Sequence, residues 1–314
     1  MKNILLLGGF GFLGSNLLNY IDRFRPNDNV IVFDKNAYHP FRLKFSCVSK
    51  VYSGDFSNMQ DIQQIFEENQ IDQVFHFLNT TIPATSEDIR FDIESNLLAT
   101  IGLLENMYSF NVQKIIFISS GGAIYGNTQG LYHSEGEDPF PISSYGIVKL
   151  AIEKYIHMFS KRSNITYLIL RLSNPFGLFH YSTKQGLINA ALRKMIQQET
   201  LAVWGDGTNK KDYIFVEDFV EILMKLIDIN VANEIINIGS GNSYSINEIL
   251  EKIKLFDSTF SWDYIDKKEF DNITFKLNLT KLKKLLPDYN FTPLDVGIKK
   301  TFDWLINGQI QNND

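Results

Sequence analysis

Along the first 170 residues, apolar and polar positions fall into blocks that switch between two periods. Short apolar runs at 3–8, 30–34, 50–53, 73–78, 113–118 and 165–171 predict strands, and several are apolar at nearly every position, as in strands buried on both faces. Helical spacing between them predicts helices over 12–24, 59–69, 88–110 and 143–162. Strand and helix in strict turn imply an α/β, Rossmann-type doubly wound parallel sheet with helices on both faces. After residue 174 the regularity falters, and polar loops such as 205–209 separate short helices. The expected domains are therefore 1–174, binding a dinucleotide, and 175–314, a smaller α/β substrate-binding part wrapped over the carboxyl ends of the strands. Segments within about 210–240, at 216–227 and 235–239, are expected to return to the main sheet. His76, inside an apolar run, is expected to be a core histidine with its hydrogen bonds satisfied.

Composition narrows the function classes. A net charge of −6 and the lack of any basic block argue against nucleic acid as a partner. The single Cys47 excludes an internal disulfide framework and a multi-cysteine metal site, and reads as a buried structural thiol. No metal site is expected. Lys2 and the apolar residues after it resemble a short signal sequence, but glycines interrupt the run from Gly8, so a strand is the better reading. No apolar run reaches the ~18 residues of a membrane span, and a cytoplasmic protein is expected.

The first turn carries the strongest chemistry. Gly8-Gly9-Phe10-Gly11-Phe12-Leu13-Gly14 follows the first apolar run and opens the first helix. Glycines at 8, 11 and 14 suit a chain that turns tightly, approaches a pyrophosphate and packs helix on strand. The pyrophosphate would rest on the open amides of the helix start, at Phe12 and Leu13. The second strand ends in Asp34, twenty residues after Gly14, where a carboxylate accepts hydrogen bonds from the adenosine ribose and repels a 2′-phosphate. The expected cofactor is NAD, not NADP. Further on, the strand 115–118 runs into Ser119-Ser120-Gly121-Gly122-Ala123-Ile124-Tyr125-Gly126, and Tyr145-x-x-x-Lys149 follows. Residues four apart share a helix face. A nearby ammonium favours the phenolate, so Tyr145 can exchange a proton with a sugar hydroxyl while hydride leaves the same carbon.

With these motifs the chain resembles the extended short-chain dehydrogenase/reductases that act on nucleotide sugars, of the UDP-glucose 4-epimerase type. The resemblance covers almost the whole chain: Gly8-x-x-Gly11-x-x-Gly14, Asp34, Gly54-Asp55, Asn96, Tyr145-x-x-x-Lys149, Arg171 to Gly177, and Trp204-Gly205-Asp206-Gly207 through Asp212-Tyr213 to Asp218. It implies that Asp55, with Phe56 beside it, contacts the adenine side of the cofactor. Leu78, Asn79 and Thr80 would line its pyrophosphate and ribose, Asn96 would brace the middle of the site, and Lys149 would hold the nicotinamide ribose. Asn174 would contact the sugar diphosphate. The resemblance also suggests a homodimer in which helices near 88–110 and 143–162 pair into a four-helix bundle.

Departures from the family pattern bear on the reaction. Gly121 stands where the family usually has the Ser or Thr that hydrogen-bonds the reacting oxygen, and Ala123 replaces another polar residue. The helper falls to Ser120, with Ser119, a group such as Thr81, or no helper at all as alternatives. Gly122 and Ala123 also stand where the dehydratases carry acidic residues, which argues against a 4,6-elimination. Two diphosphate-clamping arginines of the family correspond here to Lys211 and, in 267–271, Lys268. Lysine binds phosphate as a point charge without the bidentate fork. The reading that results is an NAD-dependent nucleotide-sugar 4-epimerase working through a transient 4-keto sugar. The alternatives are an NAD(P)H-dependent 4-keto-6-deoxy nucleotide-sugar reductase and a non-catalytic NAD-binding protein.

Overall fold

The computed structural model describes residues 2–35, 45–81, 88–126, 132–182, 185–266 and 276–310. The chain divides into two compact units, one of Met1–Gly126, Asp138–Arg171 and Val220–Ile236, the other of Asn127–Glu137, Leu172–Phe219 and Asn237–Asp314.

The first unit is built on β1 (Asn3–Leu7), β2 (Asn29–Asp34), β3 (Val48–Ser53), β4 (Gln73–His76), β5 (Lys114–Ser120), β6 (Thr166–Leu172) and, from later in the chain, β10 (Glu234–Ile238). Among the described residues these form one seven-stranded sheet in the order β10-β6-β5-β4-β1-β2-β3. The central ladders are parallel, with Leu5 facing Ile31 on one side and Val74 on the other. At the β10 edge, Asn233 N–H donates to Tyr167 C=O at 2.6 Å and Ser173 N–H to Ile238 C=O at 2.8 Å, so start meets start and end meets end. β10, although late in the chain, thus lies beside β6.

Helices α1 (Phe12–Phe24), α2 (Met59–Glu68), α4 (Ala99–Ser109), α6 (Ser144–Arg162) and α8 (Val216–Asp228) accompany these strands. Alternate strand residues Leu5, Leu7, Ile31, Phe33, Val74, Ile115 and Phe117 pack with Ile62 and Phe66 of α2, Leu103 and Met107 of α4, and Val148, Ile152 and Ile156 of α6. The interleaved Ile4, Leu6, Val30, Val32 and Phe75 are buried as well, which explains strands that are apolar at every position.

The predicted helix 88–110 is present but not uniform. It comprises α3 (Ile89–Asp92), a π-helical turn over Ile93–Leu98, and then α4. Three side chains here bond the carbonyl four residues back: Ser95 to Phe91 at 2.6 Å, Asn96 to Asp92 at 3.3 Å and Thr100 to Asn96 at 2.6 Å. Such back-bonding competes with the main-chain ladder and loosens the turn.

The second unit holds two small sheets, β11 (Ser243–Ser245) with β9 (Lys210–Phe215) and β7 (Asn174–Phe176), and β12 (Trp262–Ile265) with β8 (Leu201–Trp204). Its core joins Phe176, Tyr213 and Phe215 to Ile188 and Leu192 of α7 (Leu187–Ile196), Ile249 and Ile253 of α9 (Ile246–Lys254), and Ile298 and Leu305 of α10 (Leu294–Ile310). Among the described residues no helix is long and apolar enough to cross a membrane.

Candidate functional site

The glycine turn lies between the ends of β1 and β2. Gly8 takes φ +80°, a conformation few side chains adopt, and its N–H donates to Phe33 C=O at 2.8 Å. Gly14, in the first turn of α1, lies so close to the preceding chain that an added Cβ would stand 2.2 Å from the Gly8 oxygen and 2.6 Å from the Gly9 oxygen. Gly11 is the N-cap of α1 and no side chain caps the helix. A Cβ there would meet only the Gly8 oxygen, at 3.3 Å. The first-turn amides at Phe12 and Leu13 are thus shaped to receive an anion. Asp34, ending β2, is anchored by Phe10 N–H, which donates to Oδ2 at 2.9 Å. This cradle and carboxylate fit a dinucleotide with an unphosphorylated ribose.

Other residues expected along the cofactor lie at neighbouring strand ends. Asp55 accepts from Ser57 N–H at 3.0 Å and Ser57 Oγ at 2.7 Å, bonds that hold its carboxyl below the usual range. Its other oxygen is 3.8 Å from Lys35 Nζ. Phe56 is turned into the core against His76, so any contact it makes with a ligand is through its backbone. Leu78 follows β4, and its backbone lies 3.0 Å from the Cβ that Gly8 lacks. Asn96, on the π-helical turn, accepts from Thr80 N–H at 3.0 Å and donates to Thr80 Oγ1 at 2.6 Å. Ser119 is buried at the end of β5, and among the described residues its hydroxyl has no hydrogen-bond partner.

Tyr145 and Lys149 begin α6, which Ser143 caps by accepting from Gly146 N–H at 3.2 Å. The absence of a side chain at Gly146 brings this turn onto the Ala123 carbonyl, 2.4 Å from where a Cβ would be. Helix α6 and the short α5 (Gly121–Ile124) are thereby in contact, and the Tyr145 hydroxyl hydrogen-bonds the side chains of Ser120 and Asn79. Asn79 also donates to Thr81 C=O, and Thr81 is buried. Lys149 Nζ donates to Ile118 C=O at 2.9 Å, 5.8 Å from the centre of the Tyr145 ring.

The electrostatics differ from the simple expectation of a phenol lowered by its lysine. Burial pushes the Tyr145 phenol up to about 12, opposed by the Ser120 and Asn79 bonds. Burial also pulls Lys149 down to about 7, opposed by Glu153. In a dry site desolvation of both charged forms outweighs their mutual help.

His76 is buried as expected but only half satisfied. Its Nε2 pairs with Thr100 Oγ1 at 2.9 Å, while Nδ1 has no partner among the described residues. Since Thr100 gives its proton to Asn96 C=O, Nε2 is the protonated nitrogen. Burial first, and then Lys149, lower His76 from 6.5 to about 3. The unfolded chain takes up this proton below 6.5 and the folded chain does not until about 3, so folding stability falls as pH falls across that window. His76→Leu is expected to flatten the acid-side loss of Tm, measured by thermal melts of both proteins at neutral pH and near pH ~4.

Of the residues expected to meet the sugar diphosphate, Asn174 of β7 donates to Asp212 C=O of β9 at 2.9 Å, in a ladder that pairs Asn174 with Tyr213. Lys211 pairs with Tyr244 of β11, while the neighbouring Lys210 is 3.9 Å from Glu248. Asp212 is fully buried and takes Ser240 N–H at 2.8 Å and Gly241 N–H at 3.0 Å, fixing the loop after β10. Lys268 lies outside the described residues.

Sequence reasoning missed Glu153 and Arg171 as part of this site. Glu153 sits one turn past Lys149 on the same face, a spacing that could have revealed it.

Comparison with known proteins bears on the same residues. The model of the NAD dependent epimerase/dehydratase family matches residues 4–239. A putative UDP-glucose 4-epimerase of Methanocaldococcus jannaschii is 29% identical over 310 residues, covering 97% of this chain and 98% of that protein. A dTDP-4-dehydro-6-deoxyglucose reductase of Escherichia coli is 30% identical over 257 residues, 81% of each. The crystal structure of Thermotoga maritima UDP-glucose 4-epimerase with UDP-glucose superposes with a TM-score of 0.90 at 27% identity, covering 98% of this chain and 99% of that one. The glycine cradle, Asp34 and the Tyr145–Lys149 pair all lie within the matched span, and the chain belongs to the NAD-dependent epimerase/dehydratase family.

Proposed function

We propose that this protein is a nucleotide-sugar 4-epimerase that interconverts hexoses at C4 through a transient 4-keto sugar. The observation that carries this reading is the convergence of Ser120, Asn79 and Tyr145 on one hydroxyl, with Lys149 behind it. NAD, if bound in this cradle, would supply reversible hydride transfer at the sugar carbon. Tyr145 accepts the C4 hydroxyl proton in the first half and returns it in the second. Ser120 takes the place of the hydroxyl missing at Gly121, and the bonds from Ser120 and Asn79 favour the charged form of the phenol. Gly8, Gly11, Phe12 and Leu13 hold the pyrophosphate, and Asp34 the adenosine ribose. Asp55, the Phe56 backbone, Leu78, Asn79, Thr80, Asn96, Ser119 and Lys149 complete the cofactor side.

Residues 1–174 serve the cofactor and 175–314 the sugar nucleotide. Asn174 and Lys211, held together through β7 and β9, are assigned to the diphosphate with Lys268, and Thr81 to the hexose. Exposed Phe91, Leu98, Ile147 and Tyr155 on α3, the π-helical turn and α6 support a homodimer through this face. A cytoplasmic location is part of the same proposal.

Two features weigh against the other reactions of the family. Gly122 opens on space, with no atom within 4 Å of an added Cβ, and offers no carboxyl for an elimination. Asp34 disfavours NADPH, the usual donor of a 4-keto reductase. The likeness to the Escherichia coli reductase keeps that reaction as the second reading. Incubation with UDP- and dTDP-hexoses, with and without NADH, separates the two. Gluco-to-galacto conversion without net cofactor use supports the epimerase. NADH consumption confined to a 4-keto-6-deoxy sugar nucleotide overturns it.

A further inference from the structure

Beneath Tyr145, the interior face of α6 carries a row of polar groups at four-residue intervals: Tyr145, Lys149 and Glu153. Glu153 and Arg171 are each 2% exposed. The Arg171 guanidinium clasps the carboxylate from β6, Nε to Oε1 at 3.1 Å and Nη2 to Oε2 at 2.7 Å. Its Nη1 donates to the Tyr125 hydroxyl at 2.9 Å, and the guanidinium lies 5.0 Å from the centre of that ring. Tyr125 ends the short turn that begins after Ser120. One arginine therefore ties the helix carrying Tyr145 to the turn carrying its hydrogen-bond partner.

Lys149 is 4% exposed, and its surroundings do little to hold its charge. From β5 it meets the Ile118 carbonyl and, at 4.7 Å, the face of the Phe117 ring. From β4 it meets His76, which burial keeps neutral. On its own helix Tyr145 is a neutral phenol, and Glu153 supplies the opposing charge. Because both Glu153 oxygens bond Arg171, Lys149 keeps its Nζ for the Ile118 carbonyl.

We propose that Glu153, clasped by Arg171, is a positioning residue that supplies the counter-charge for Lys149 and thereby sustains the acid–base work of Tyr145. The inference rests on the assignment of Tyr145 and Lys149 to the epimerase reaction. Lys149 assists the phenolate only while protonated, so activity falls as pH rises through the lysine's titration near 7. Taking away the Glu153 charge lets burial lower that titration further, and the alkaline limb of kcat moves to lower pH.

The test is kcat and KM against pH for wild type, E153Q and the double variant E153Q/R171Q, all at saturating NAD, which stabilises the folded state by mass action. The double variant leaves neither charge buried without its partner, and so provides a folded neutral pair if E153Q alone does not fold. In E153Q the alkaline limb is expected to move down by about one pH unit with KM nearly unchanged, and in the double variant, where the Arg171 charge is lost as well, to move in the same direction by a smaller step. A folded variant whose activity drops equally at every pH, with the limb in its wild-type place, overturns the inference and leaves the epimerase reading intact. A wild-type protein that converts no nucleotide hexose removes that reading instead, and this inference with it.

Discussion

Tyr145→Phe is expected to lower kcat by roughly 10²–10⁴-fold, the span a positioned acid–base group contributes. NAD affinity should stay near the wild-type value, because the ring remains and only the hydroxyl facing Ser120 and Asn79 is lost. A phenol that burial pushes up to about 12 gives up its proton near neutral pH only with help from the ammonium behind it and the two hydrogen bonds on its oxygen. Phenylalanine offers no oxygen for any of them to act on. The measurements are the rate of hexose epimerisation and, by calorimetry, the Kd for NAD. A Tyr145→Phe variant turning over at close to the wild-type rate would sink the assignment of the acid–base group.

The second large effect belongs to the glycine turn. In Gly14→Ala the new methyl would stand 2.2 Å from one backbone oxygen and 2.6 Å from the next, and neither can swing aside as a side chain would. Forcing a methyl into such packing costs about 1–3 kcal/mol. If the turn yields at the pyrophosphate amides, that energy appears as a loss of NAD affinity of roughly 10–100-fold. Gly11→Ala is the companion. Its methyl meets a single oxygen at 3.3 Å, so the fold is retained, but the methyl stands on the uncapped helix start. NAD affinity should fall there with little change in Tm, whereas Gly14→Ala should lower both. Equal and unchanged Kd values in the two variants would remove the pyrophosphate from this turn.

These contrasts show where local sequence is informative. The central strands β1, β2, β4, β5 and β6 were legible because burial on both faces leaves a nearly continuous apolar run, whereas the edge strand β3, with no buried residue, shows only its second half as such a run. The helices between them were legible from their spacing, to within a residue or two at most ends. The three-residue strands β7 and β11 were not, since nothing local distinguishes them and only their register with β9 makes them strands. At the site, the Tyr145–Lys149 spacing was visible in the chain, but its electrostatics were not. Desolvation is set by what covers a group, and residues that cover Lys149 come from β4 and β5. The contact of Asn79 with Tyr145 joins residues far apart in sequence, and no pattern within either segment announces it. Phe56 shows the converse: its position beside Asp55 suggested a ligand contact, while the apolar ring is drawn into the core.

The widened turn at Ile93–Leu98 stores one residue more than an ordinary helix needs, and Asn96 reaches Thr80 from within it. Deleting Glu94 would let the segment rewind into a regular helix with α3 and α4 keeping about the same faces, because the widened turn already absorbs the extra residue. The change would fall within the turn itself, where the Asn96 carboxamide would lose its reach to Thr80. Chain length at this one place therefore decides whether Asn96 can hold Thr80.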